Sequence, residues 1–248
     1  MIAFLGMYDM PDLRPANDRF WQAIRARLGS GPDKLTRSDD PWPVWQSPDL
    51  LFAQTCGMPL RTRLHQQVQL VGTPDYGLPG CAPGFYNSVM IARIDDPRGD
   101  LEEFEGATLA YNEALSQSGW AAPTAHAAEH GLTFGGYRET GAHAAAARVV
   151  AKGQADLAGI DALTWALLQE HEPALSGQLK EVTRTAPTPA LPFITGRQND
   201  PAKIAAAVTG AITDLSDADR QALHIHALVP LPLSAYLAVP TPPPPPAK

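Results

Sequence analysis

The chain has 248 residues, 44% of them hydrophobic and 18% charged, which is enough apolar material for one large or two small domains with real cores. Its formal net charge of −7 leaves no basic field to attract a polyanion, so a general nucleic-acid or acidic-membrane binder is disfavoured. A small anion is still allowed, because local amides and hydroxyls can hold one.

No apolar run approaches the ~18 residues of a membrane span. The opening "MIAFLGMYDMPD" lacks the basic region and long apolar stretch of a secretory signal and reads as a strand, Ile2 to Gly6. Such a start fits a cytoplasmic protein, or an exported one whose leader is not shown. Phe20, Ala23, Ile24 and Leu28 then recur at helical spacing, ending at "GSGP". "DLLFAQTCG" is a buried strand, Leu50 to Ala53, running into a loop, and "VQLVG" is another. Cys56 and Cys81 sit in turn-rich loops. Joined, they would mark an oxidising compartment; as thiols, they would be small buried hydrophobes.

"YNSVMIARI" is a strong strand, followed by a short acidic helix and the strand "ATLAYNE". A helix is expected from Gln117 to His130 and an alanine-rich one from Ala144 to Ala151. "ADLAGI" reads as a strand, "DALTWALLQEH" as a helix and "LKEVTRT" as a strand, before "APTPALPFIT" crosses into a last strand and two helices. The tail "VPTPPPPPAK" should be extended and loosely held. This alternation predicts an α/β chain with mostly parallel strands. The lengths fit two lobes, residues 1–87 plus 188–248 and residues 88–187, with "YNSVMIARI" and "RTAPTPALPFIT" as crossovers of a hinged cleft. One continuous doubly wound sheet is the alternative.

The stretch "NEALSQSGW" carries the chemistry. Ser116 and Ser118 flank Gln117 and run into Gly119 at the start of a predicted helix. A helix N-terminus presents unpaired amides and partial positive charge, so an anion there gains hydrogen bonds without lysine or arginine. The same serines would also serve as an ordinary helix cap, worth about 1 kcal/mol.

Nearly the whole chain resembles the phosphonate, phosphite and phosphate substrate-binding proteins of ABC transporters. The likeness rests on "FAQTCG", "YNEALSQSGW", "ETGAHAAAARVVAKGQADLAGIDALTW" and "TAPTPALPFIT". It implies the two-lobed type II periplasmic-binding-protein fold and a small phosphorus oxyanion as ligand. It further implies a permease partner, a monomer, a periplasmic location and no cofactor or metal. This loop reads Ser-Gln-Ser where relatives often have Ser-Thr-Ser.

His143, in "TGAH", would be a third side-chain donor at a helix start, or a satisfied loop histidine. Asp161 follows a buried strand at the edge where open α/β sheets bind ligands. Facing an oxyanion it would demand a proton or an ammonium on the ligand; it is equally a preferred N-cap. Tyr8, Tyr86, Gln54 and Thr55 complete the expected binding set, or pack as ordinary rim and core. Trp42, Trp45 and Trp165 are read as core. Two enzyme readings compete. "HAAEH", His126 to His130, matches an inverted zinc-protease pattern, with Glu170 and Glu181 as the available third ligands. Synthases of menaquinone and thiamine-precursor pathways share the same fold, and His143 with Asp161 would then be an acid–base pair.

Overall fold

The computed structural model describes residues 1–246 and divides into two compact units. One contains Met1–Phe85 and Pro189–Val239; the other contains Tyr86–Thr188 and residues 240–246. The chain leaves the first unit through the short strand Phe85–Tyr86 and returns through Thr188–Pro189, and these two strands pair with each other.

The first unit is built on a five-stranded sheet in the order Ile2–Phe4, Leu50–Gln54, Phe193–Gly196, Val68–Asp75, Ala227–Val229. Helix Arg14–Leu28 buries Phe20, Ile24 and Leu28 of the expected stripe, with Trp21 buried beside them and Ala23 only half-buried, and stops where Gly29 turns left-handed at φ 72°. Trp21 stacks on Phe52 at 6.0 Å between centroids, and Phe52 meets Phe193 at 4.9 Å. A second cluster joins Phe4, Trp45, Leu60, Val68, Ile194 and Tyr236. Trp45 and Trp165 are buried, whereas Trp42 is half-exposed and carries the Arg63 guanidinium 5.1 Å above its ring.

The second unit has the order Gly136–Glu139, Thr108–Tyr111, Leu157–Asp161, Ser88–Arg93, Leu179–Arg184. The expectation of mostly parallel strands needs correction, because both large sheets are mixed. Phe193–Gly196 runs antiparallel between Leu50–Gln54 and Val68–Asp75. Ser88–Arg93 runs antiparallel to both of its neighbours. A strand that enters a sheet from a crossover starts at the edge where the βα strands end, so it must run against them.

The tail is a second correction. The sequence places 188–248 with the first lobe, but residues 240–246 cluster with the second unit. Its anchor is the Trp120 indole N–H, which donates to the Pro243 carbonyl at 3.0 Å. Ala247 and Lys248 lie outside the described residues.

Candidate functional site

Three parallel strands of the second unit, Thr108–Tyr111, Gly136–Glu139 and Leu157–Asp161, end at one sheet edge. Helical segments then begin at Gln117, His143 and Ala162. The antiparallel strand starting at Ser88 opens at that same edge, since Ser88 pairs with Asp161. The carboxyl edge of such a sheet is where α/β proteins collect helix N-termini, and with them partial positive charge.

Ser116 caps the first of these helical segments. Its hydroxyl oxygen accepts from the Gly119 amide at 2.9 Å, and its carbonyl accepts from Trp120 at 3.3 Å and Ala121 at 3.0 Å. The segment Gln117–Ala121 is a π-turn that leads into the α-helix Ala122–Glu129, a wide opening turn of the kind that recurs at functional sites. Two glycines let the loop sit where it does. A Cβ on Gly119 would overlap the Asn112 side-chain oxygen. A Cβ on Gly159 would overlap Pro123 and lie 2.9 Å from the Ser118 carbonyl. Ser116, Gln117 and Ser118 are consequently buried, the two serines at 2% exposure each.

Ser118 reaches His143, with 2.9 Å from its hydroxyl to Nε2, while His143 Nδ1 lies 3.2 Å from the Gly159 carbonyl. A carbonyl can only accept, so Nδ1 carries the imidazole proton and Nε2 accepts from the Ser118 hydroxyl. Burial pushes the His143 pKa down to about 4, opposed by its bond to the Gly159 carbonyl, and the ring is neutral at pH 7. The expected third donor thus spends its one proton inside the protein. Asp161, 2% exposed, accepts from the amides of Leu163 at 2.9 Å and Thr164 at 3.0 Å through one oxygen, which makes it the cap of helix Ala162–His171.

In the first unit, Tyr8, Gln54 and Thr55 gather at the carboxyl edge of the parallel pair Ile2–Phe4 and Leu50–Gln54. The Gln54 amide donates to the Tyr76 hydroxyl at 2.7 Å and the Leu191 carbonyl at 3.1 Å, and the Tyr8 ring meets Tyr76 edge-on at 5.5 Å. Thr55 is fully buried and its amide bonds the Pro192 carbonyl. Tyr86 is buried in the crossover strand.

Two asparagines escape the sequence reading. Asn87 is 6% exposed, and its side-chain oxygen has no hydrogen-bond partner among the described residues; the same is true of the Asn112 oxygen. Each stands in a Tyr-Asn pair, 86–87 and 111–112, at the site edge of a strand, and that repeated dipeptide is the signal that could have found them. In the "HAAEH" helix, the rings of His126 and His130 lie 4.6 Å apart, but His130 bonds Glu102 at 2.8 Å. Glu181 is taken by Trp165 and Arg184. Among the described residues no group of three or more His, Cys, Asp or Glu could hold a metal ion, and no helix is long and apolar enough to cross a membrane.

A family model described as ABC transporter, phosphonate, periplasmic substrate-binding protein matches residues 49–231. No curated protein matches the chain. Among solved structures, PhnD1 from Prochlorococcus marinus, in complex with methylphosphonate, superposes with a TM-score of 0.74 at 12% identity, covering 95% of this chain and 94% of that one. A binding-protein component of an ABC phosphonate transporter from Pseudomonas aeruginosa gives 0.73 at 16% identity, covering 92% and 80%. A Xanthomonas citri protein bound to chloride gives 0.70 at 19% identity, covering 96% of both chains. At such identities the structural likeness establishes the two-lobed periplasmic-binding-protein fold.

Proposed function

Since the chain belongs to the phosphonate periplasmic substrate-binding proteins of ABC transporters, we propose that it binds a small phosphorus oxyanion at the Ser116–Gly119 loop and delivers it to a membrane permease. The observation that carries this reading is the convergence of three helix starts, at Gln117, His143 and Ala162, on one edge of the second unit's sheet. Aligned amides and a serine hydroxyl can hold an anion there without a cationic side chain, which suits a protein of net charge −7. Phosphonate, phosphite and phosphate share the tetrahedral oxygens this needs.

Binding without covalent chemistry is the reading that the family of binding proteins supports. His143 has both ring nitrogens engaged, and Asp161 caps a helix. We assign Gln54 to holding the strand end, because its amide is committed to Tyr76 and Leu191. The protein is taken to act as a monomer.

Calorimetric titration with methylphosphonate, aminoethylphosphonate, phosphite, phosphate and sulfate tests the reading. At least one phosphorus oxyanion should bind with a Kd well below millimolar, and sulfate should bind more weakly. If none does, the reading fails. Fractionation of the native host tests delivery: recovery of functional protein only in the cytosol would overturn the transport half.

A further inference from the structure

The loop's two serines have opposite hydrogen-bonding polarity. The Ser116 oxygen accepts from the Gly119 amide, so its own hydroxyl proton is left to donate. The Ser118 proton is spent on His143 Nε2, so what Ser118 turns to its surroundings is lone pairs. The Gly159 carbonyl fixes this direction through Nδ1. A ligand lying against both hydroxyls must bring an ionised oxygen to one and a proton to the other.

We propose that Ser118, held as an acceptor by the positioning residue His143, reads a proton on the ligand, so that the site takes the hydrogen-bearing monoanion of a phosphonate in preference to its dianion. This rests on the phosphorus-oxyanion reading above and names the protonation state of that ligand. A dianion would set a bare oxygen against the Ser118 lone pairs, leaving two buried acceptors without a donor. Burial keeps His143 neutral through the pH range in which a phosphonate monoanion loses its second proton, so the polarity persists there.

Other charged groups do not set the direction. The elements packed against helix His143–Ala151 carry Arg93, Tyr111, Asp161, Glu170, His171, Lys180, Glu181 and Arg184. None of them is a cause of the His143 shift, which comes from burial and the Gly159 carbonyl. On the helix itself Arg148 pairs with Glu172.

The test is the pH dependence of methylphosphonate binding, measured by calorimetry across the ligand's second ionisation. If only the monoanion binds, the apparent Kd of the wild type rises about tenfold per pH unit above that ionisation, since affinity scales with the competent fraction. His143→Phe releases the Ser118 hydroxyl to donate, so its profile should flatten and its sulfate affinity should rise. His143→Gln keeps an acceptor oxygen near the Nε2 position and should restore the slope, which a purely structural role for His143 would not do. Asp161→Asn should keep it. Tight binding by the wild type with a flat profile, or the same slope in His143→Phe, overturns the proposal and leaves the oxyanion reading standing. No methylphosphonate binding at any pH removes both.

Discussion

Asn112 lies against Gly119 so closely that its side-chain oxygen occupies the space a Cβ would need, and its backbone nitrogen would be 3.2 Å from that Cβ. The strand end at Tyr111 and the helical turn after Ser116 are therefore fitted to each other through a missing side chain. Gly119→Ala should force them apart at a cost of about 1–3 kcal/mol, typical of overpacking, and weaken oxyanion binding at least tenfold. Adding Asn112→Ala should recover only part of the loss, because the backbone nitrogen stays. Chemical denaturation and calorimetry of the single and double variants check both halves.

Cap and ligand roles of Ser116 can be separated. Ser116→Ala should cost about 1 kcal/mol of stability through the lost bond to Gly119. Ser116→Asp should keep the cap, since aspartate is an equally good one and favours a helix start, yet abolish anion binding by repulsion. If Ser116→Asp binds methylphosphonate as well as wild type, the hydroxyl does not face the ligand.

Acid should destabilise the protein in two stages. His143 has a folded pKa near 4, below the usual histidine range, so its contribution is complete above that range and is lost as pH falls through it towards 4. Asp96 is held at about 2, chiefly by its hydrogen bonds from Arg98, so its contribution is lost only below the usual carboxylate range. Denaturant midpoints measured against pH should show His143→Gln flattening the upper stage and Arg98→Ala the lower.

The buried strands are legible in the sequence because their runs are apolar on both faces, as in Leu50–Gln54 and Ser88–Arg93, where nearly every position is buried. Gly136–Glu139 and Ala227–Val229 are not, because each lies at the edge of its sheet and buries little, so no apolar run marks them. The serine loop and its helix start can be read from residue types alone. The polarity of Ser118 cannot. It depends on a carbonyl at Gly159 reaching a ring at His143, sixteen positions earlier.

Removing the chain after Val239 should cost the second unit the Trp120–Pro243 bond, about 1 kcal/mol for a hydrogen bond to a neutral carbonyl. Trp120 also packs between Tyr111 and Tyr137, at 5.1 Å from each, so the indole should remain buried but lose its polar partner. A small fall in denaturant midpoint with unchanged slope is expected; an unaltered midpoint would show that the tail adds nothing.

What Trp120 holds at position 243 is a main-chain oxygen, which every amino acid has. The prolines around it lack amide hydrogens and keep the backbone extended, so they contribute stiffness and reach. Mutational drift should therefore leave the anchor intact while the segment stays extended, whereas deleting or inserting a residue between Val239 and Pro243 shifts which carbonyl meets the indole. The tail should tolerate changes of letter and resist changes of length.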